Sequence, residues 1–567
     1  LKKNHIVHSH GFSPHLLSIA ESLSVIPINH KRRMVHKFLF DMGFGQGYYT
    51  ALEMVFNPRI TQIKRIAKEM HVCVENRMNS QAHMEKMLSD FKTIFNPGKI
   101  AVIGASTTFG KWGQVIISNI LAGGFKGKVL PVNPKGGKMF GLDVFPNITD
   151  IPDDVDLAFI TTPSGTVPGL LAELGEKNVK GAVIITSGFS ETDASGKKLE
   201  REIVEVARKN NVWIIGPNTM GIICPHAGLF ATGSHPRPQK GSVAFISQSG
   251  NLGNQLIDWA EQQGVGISLF VGSGNEAMLT CPDYLEYLEN DPHTRFIVLY
   301  VENVEDGTRF METAARINRK KPVILLKGGS TQAGKKAAAS HTGAMSGEDI
   351  IFKGACRQAG ILNVNVPSDL LSLSAGFSSL PLPTGNRVGI VTLGGGWGVV
   401  TADECSKEGL VVPELPERIV AKIGKYLPEF WSKGNPVDLV GTRNLEAPAV
   451  AVEELMKWDG IDAVICLGVV GRHELVRQLL ESTRKADPEV TEEFLAHVEK
   501  MGCEFEEGLI AHMAAFMETY HKPVIGVSMS GTGKGVVRPV PGSRYSAVMY
   551  QTPETAVNVL AGMVSYS

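Results

Sequence analysis

From Lys92 onward the chain alternates short, unbroken apolar runs with longer amphipathic stretches. The runs Lys99–Gly104, Lys128–Val132, Leu157–Thr161, Ala182–Thr186 and Val212–Gly216 have the length of strands. Their continuous apolar character predicts burial on both faces, since a half-exposed strand alternates with period two. Gly113–Leu121 and Lys198–Asn210 read as helices between them. A second series contains Ser242–Ser247, the helix Asn251–Gln263, Val265–Val271, the helix Cys281–Glu289, Phe296–Val301 and Pro322–Leu326. After the Pro/Gly-rich linker Ser378–Gly385, a third series opens with Arg387–Thr392. It continues with Ala463–Val470 and Pro523–Val527 and ends in a helix over Thr552–Val564. Strands alternating with helices predict an α/β fold of three successive parallel-sheet domains. Their expected limits are 84–240, 241–383 and 384–567. The architecture repeats, but the sequence does not.

Length agrees with this division: 567 residues suffice for three or four domains with their own cores. A net charge of −1 gives no electrostatic case for nucleic acid or an anionic membrane as a partner. No apolar run approaches the ~18 residues of a membrane span. The seven cysteines include no CxxC pair, which argues against a zinc ribbon or disulfide framework and fits a cytoplasmic protein. The near-neutral charge is a sum over unlike parts. Residues 1–83 hold eight of the 16 histidines and carry net +6, leaving −7 for the rest. This stretch is set apart as an N-terminal extension. It reads either as a small basic domain or as upstream reading frame, with Met84 or Met87 just before the patterned body.

Ligands in parallel α/β sheets bind at the carboxyl ends of strands, often with phosphate on a helix N-terminus. Gly104-Ala105-Ser106-Thr107-Thr108-Phe109-Gly110 stands between a strand and a helix, but Ser106 replaces the second glycine of a dinucleotide fingerprint. The next strand ends in Asn133-Pro134-Lys135, without the acid that holds a ribose hydroxyl, which argues against a nicotinamide dinucleotide. Ser106 and Lys135 remain suited to exposed phosphates, or form a tight turn and a surface lysine. Ser247-Gln248-Ser249-Gly250-Asn251-Leu252-Gly253 and Gly272-Ser273-Gly274-Asn275 are two further strand-end turns, each an anion site or a plain glycine turn. His341 lies in a small-residue loop, Ala337–Gly347, and a neutral imidazole there is a capable nucleophile. Glu302, after the run Phe296–Val301, is the best-placed carboxylate to fix its tautomer. Gly394–Gly398 is a fourth glycine turn. Gly531–Gly535 fails as a P-loop, because Ser528 stands where the first glycine belongs and Gly535 where Ser or Thr is needed. No His/Cys cluster has metal-ligand spacing.

Read in order, these loops resemble the nucleoside-diphosphate-forming acyl-CoA synthetases, relatives of succinyl-CoA synthetase. The signposts are KIAVIGAS at 99–106, PVNPK at 131–135, IIGPN at 214–218 and FISQSGNLG at 245–253. YVENVEDG at 300–307, SHTGAMSG at 340–347, RVGIVTLGGG at 387–396 and NPVDL at 435–439 complete them. The resemblance covers about residues 90–567 and is to the α subunit of the ADP-forming acetyl-CoA synthetase type. It implies a Rossmann-like CoA-binding domain followed by two flavodoxin-like domains. It implies that His341 is transiently phosphorylated, that Glu302 orients it, and that Ser249 and Gly250 hold phosphate, with Asn251 and Gly274 of the same strand-end turns as further phosphate candidates. It assigns Gly104, Ser106, Lys135, Pro163, Ser187 and Gly188 to coenzyme A. The family's ATP-grasp portion is missing. A separate ATP-grasp β subunit carrying ADP or ATP with Mg²⁺ is therefore implied, in a hetero-oligomer. Trp397 departs from the small residue or proline the family more often has, and Glu481–Glu507 is longer and more charged. The rival expectation is a non-catalytic CoA-binding or regulatory protein of the same fold.

Overall fold

A computed structural model describes residues 81–336, 349–442, 444–471, 473–487, 489–528 and 535–567. The His341 loop and residues 531–534 of the failed P-loop lie outside the described residues. The chain divides into two compact units, Leu1–Ser89 and Asp90–Ser567. In the first, residues 81–89 are helical.

The second unit carries three principal sheets. The first is built from β1 (Lys99–Ile103), β2 (Lys128–Val132), β5 (Leu157–Ile160), β6 (Gly181–Ile184) and β7 (Trp213–Ile215), in the order β2-β1-β5-β6-β7. A two-residue hairpin, β3 (Lys138–Met139) and β4 (Leu142–Asp143), stands beside it. All ladders of this sheet are parallel. The order reverses at β1, so its carboxyl end faces the crevice where such sheets take ligands.

The second sheet comprises β8 (Gly221–Cys224), β9 (Leu229–Thr232), β10 (Lys240–Ser247), β11 (Ile267–Gly272), β12 (Phe296–Val301), β13 (Val323–Lys327) and β14 (Leu362–Val364). Its order is β14-β13-β12-β10-β11-β8-β9. The reversal falls at β10, the strand that feeds the Ser249 turn. β8 and β9 are antiparallel additions at one edge, although their residues lie within 84–240. The sequence pattern places no strand there, because Gly221–Cys224 and Leu229–Thr232 are short runs around a Pro/Gly turn. A 3₁₀ turn at Pro225–Ala227, closed by Gly228 at φ 68°, folds them into a buried hairpin.

The third sheet orders β16 (Val437–Asp438), β15 (Val388–Thr392), β17 (Ala463–Leu467), β18 (Val524–Val527), β20 (Ser546–Tyr550) and β19 (Val537–Pro539). Only the β19–β20 pair is antiparallel. The fold is thus α/β with mostly parallel sheets. The central strands of the three sheets are buried, as their unbroken apolar sequences require. One hydrophobic cluster runs through the second and third sheets, joining residues such as Phe245 and Phe377 to Val464 and Leu560. The first sheet has its own, around Ile103, Ile160 and Ile184.

Candidate active site

The loop after β1 turns at Gly104, whose φ of 92° is open to glycine. Gly104 and Ala105 donate their N–H groups to the Val132 carbonyl, at 3.0 and 3.1 Å. Ser106 Oγ accepts from Thr108 N at 3.1 Å. The Asn133 amide donates to the Ala105 carbonyl at 2.7 Å, and its oxygen accepts from Lys135 N at 2.9 Å. Asn133 therefore joins the Gly104–Ser106 and Asn133–Lys135 loops, while the Lys135 side chain is exposed. The next strand ends meet in the same way. Thr186 Oγ1 donates to the Thr162 carbonyl at 2.6 Å, and a Cβ on Gly188 would stand 3.0 Å from Ser164 Oγ. Pro163 and Ser187 are exposed on these two loops. The six residues assigned to coenzyme A thus lie on the carboxyl side of one sheet, in two laterally bonded pairs of loops.

On the second sheet, Ser249 caps the helix Gly250–Gln263, accepting from Leu252 N at 3.4 Å. Gly250 is the first residue of that helix, where a Cβ would meet Met220 Cγ at 2.5 Å. Asn251 is exposed beside it. The first N–H groups of a 14-residue helix, with the positive end of its dipole, favour an anion here. Gly274 has φ 58°, and a Cβ on it would lie 2.2 Å from the Pro217 carbonyl oxygen. Gln248 ties this region to Glu302. Its Oε1 accepts from Glu302 N at 2.6 Å and Asn303 N at 3.1 Å, and its Nε2 donates to the Asn303 carbonyl at 2.9 Å. The Tyr300 hydroxyl donates to Glu302 Oε1 at 3.3 Å, and Glu302 is buried. Burial and the neighbouring Glu302 charge push the Tyr300 phenol up. It stays a neutral donor at physiological pH.

Lys327 supplies a positive group nearby. It ends β13, is buried, donates to the Gly328 carbonyl at 3.0 Å and lies 5.5 Å over the Phe352 ring. Burial lowers its ammonium pKa, against the attraction of Asp349 and Glu302. Sequence reading passed over Gln248, Asn275 and Lys327. The first two stand inside glycine turns it had singled out, so their positions were visible but their partners were not. Among the described residues no group of three His, Cys, Asp or Glu is placed to hold a metal ion. Six described cysteines are free, and no described helix is long and apolar enough to cross a membrane.

Three mostly parallel sheets thus carry glycine turns at their reversal points, the places where such sheets take ligands. Residues 98–225 match the CoA binding domain, 240–377 the succinyl-CoA ligase like flavodoxin domain and 388–494 the ligase-CoA domain. The α subunit of the ADP-forming acetate–CoA ligase II of Pyrococcus furiosus is 42% identical over 376 residues, covering 66% of this chain and 82% of that one. The ADP-forming acetate–CoA ligase of Methanocaldococcus jannaschii is 42% identical over 352 residues. That match covers 62% of this chain and 49% of the relative, so the chain spans about half of that longer protein. A solved acetyl-coenzyme A synthetase 1 from Ca. Korarchaeum cryptofilum, in complex with phosphate and ADP, superposes with TM-score 0.71 at 32% identity. It covers 84% of this chain and 96% of that structure. The chain belongs to the ADP-forming acyl-CoA ligase family, related to succinate–CoA ligase.

Proposed function

We propose that this chain is the α subunit of an ADP-forming acyl-CoA synthetase, with acetyl-CoA as the default substrate. It interconverts acyl-CoA, phosphate and ADP with acid, CoA and ATP. The observation that carries this reading is the Gln248 carboxamide, which holds the Glu302 backbone beside the Ser249–Gly250 helix start. An anion-favouring helix N-terminus and an imidazole-orienting carboxylate then share one sheet edge, next to the coenzyme A loops.

The chemistry follows in three transfers. A phosphate oxygen bonds to the thioester carbonyl carbon, and the C–S bond breaks with sulfur leaving as the CoA thiolate. The His341 imidazole takes the phosphoryl group from the acyl phosphate, releasing the carboxylate. A β-phosphate oxygen of ADP then takes it from phosphohistidine. Relay through a covalent intermediate lets coenzyme and nucleotide occupy separate sites. Glu302 orients the imidazole. The N–H groups at Gly250 and Asn251, with the turn at Gly274, stabilise the phosphate charge without reorganising. Names such as "subunit alpha" among the relatives support a partner subunit. We assign to that partner an ATP-grasp fold, the nucleotide and its Mg²⁺, and place the hetero-oligomer in the cytoplasm.

His341→Asn, assayed with the partner, is expected to abolish acyl-CoA-dependent ATP formation while CoA binding persists. Undiminished ATP formation overturns the assignment. A wild-type complex that binds CoA yet takes no phosphoryl label supports instead the non-catalytic CoA-binding reading.

A further inference from the structure

The coenzyme-side loops and the phosphate-side turns belong to different sheets, yet the thioester carbon must meet phosphate within bonding reach. One side chain crosses between them. Asn275 follows Gly274 in the turn after β11, and its N–H donates to the Pro217 carbonyl at 2.9 Å. Its amide nitrogen reaches Glu191 Oε2 at 2.6 Å, Glu200 Oε2 at 2.8 Å and Ser190 Oγ at 3.2 Å. Its amide oxygen accepts from Asn218 Nδ2 at 3.3 Å.

Glu191 in turn holds the loop that carries Ser187 and Gly188. Its Oε1 accepts from Gly188 N at 2.5 Å and from Phe189 N at 3.1 Å. Glu200 Oε2 accepts from the Ser190 hydroxyl at 2.8 Å and from Ser190 N at 3.3 Å. One carboxylate oxygen of Glu191 is thus committed to the coenzyme-side loop and the other to Asn275. Burial alone would raise the Glu191 carboxyl; the Asn275 amide and the loop N–H groups outweigh it and hold it below the usual range. It is therefore an anion at neutral pH, and its bond to Asn275 is charge-assisted.

Building on the function proposed above, we infer that Asn275 is a positioning residue that fixes the loop 187–191 against the phosphate-side turn Gly272–Gly274. It aligns the thioester for attack by phosphate. Without it, Glu191 and Glu200 would confront each other with no shared donor, and the loop would move away from the turn. Only the first chemical step needs this alignment. Transfer between phosphohistidine and ADP involves neither coenzyme A nor its loop.

That asymmetry is the test. The complex with its partner is labelled at His341 from two directions, with acetyl-CoA plus radiolabelled inorganic phosphate, or with γ-labelled ATP. Asn275→Ala is expected to slow labelling from acetyl-CoA by about tenfold or more, while labelling from ATP stays within about twofold of wild type. Glu191→Gln, which keeps the side-chain size, is expected to show the same one-sided loss and serves if Asn275→Ala fails to fold. Equal losses in both directions, or no loss from acetyl-CoA, overturn the positioning role. A wild-type complex labelled from neither direction overturns the underlying functional reading, and the inference with it.

Discussion

Glu276 shows how a single residue can tie stability to pH. It follows Asn275, its carboxyl oxygen Oε1 is out of contact with solvent, and Oε2 accepts from Cys281 N at 3.2 Å. Ser273 Oγ and Glu276 Oε1 are both buried without a hydrogen-bond partner. The dipoles of the Ser273 hydroxyl and the Gln248 amide favour the charged carboxylate. Burial pushes the carboxyl up to about 7, against those dipoles, with Asp283 adding to the rise. The unfolded chain loses this proton near pH 4.5, and the folded chain keeps it to about pH 7. Folded protein binds more protons across that window, so stability falls as pH rises through it. A shift of this size corresponds to on the order of 3 kcal/mol, fully lost above the folded value. Glu276→Gln cannot ionise. Its stability relative to wild type, read by denaturant unfolding, is expected to improve by that order between pH 4.5 and 8. A difference that stays constant with pH would show the carboxyl is not the group that titrates. Nothing in the spelling of Gly272–Glu276 announced this, because burial of a side chain in a turn depends on what the next helix lays over it.

At the scale of elements, the strands were legible because parallel strands buried on both faces write themselves as unbroken apolar runs. β2 and β12 begin and end where the runs Lys128–Val132 and Phe296–Val301 do. The short edge strands β8 and β9 were not legible, since an edge hairpin takes its register from a turn and from the neighbour it completes. Close packing between elements is likewise written only as a small residue. A Cβ on Gly113, near the start of the helix Trp112–Ala122, would lie 2.1 Å from the Gly104 carbonyl oxygen. The clash is with backbone, so no side chain can swing aside to relieve it. Gly113→Ala is therefore expected to cost about 1–3 kcal/mol by overpacking. It should also weaken CoA binding, because the strain falls on the loop Gly104–Ser106. Calorimetric titration with CoA alongside thermal unfolding checks both. A stable variant with unchanged CoA affinity would remove this loop from the coenzyme site.

Across the whole molecule, the apolar pattern indicated how many sheets there are but not how firmly each is joined to the next. The second and third sheets share one hydrophobic cluster. The first is tied to the second by β8–β9 and by polar side chains. Asn119, on the helix Trp112–Ala122, donates to the carbonyls of Thr232 and Ser234 at 2.8 and 2.9 Å, and Asn275 makes a further polar tie. Side-chain amides spanning distant segments leave no periodic trace, which is why the order of motifs was readable and their convergence was not. The same reasoning separates the working body from what precedes it. The residues assigned to the site, and the contacts described around them, fall within Asp90–Ser567, one compact unit. The net +6 and eight histidines of residues 1–83 belong wholly to the other. A chain beginning at Met84 keeps the helical residues leading into β1. With the partner present, it is expected to form ATP from acetyl-CoA, phosphate and ADP at a rate within about twofold of the full chain, since no group that positions substrate is removed. Because the deleted part carries the positive charge, rates at low and high ionic strength test whether it contributes by steering anionic substrates. A large loss confined to low salt would assign it that role. A large loss at every salt concentration would make residues 1–83 part of the enzyme's working structure.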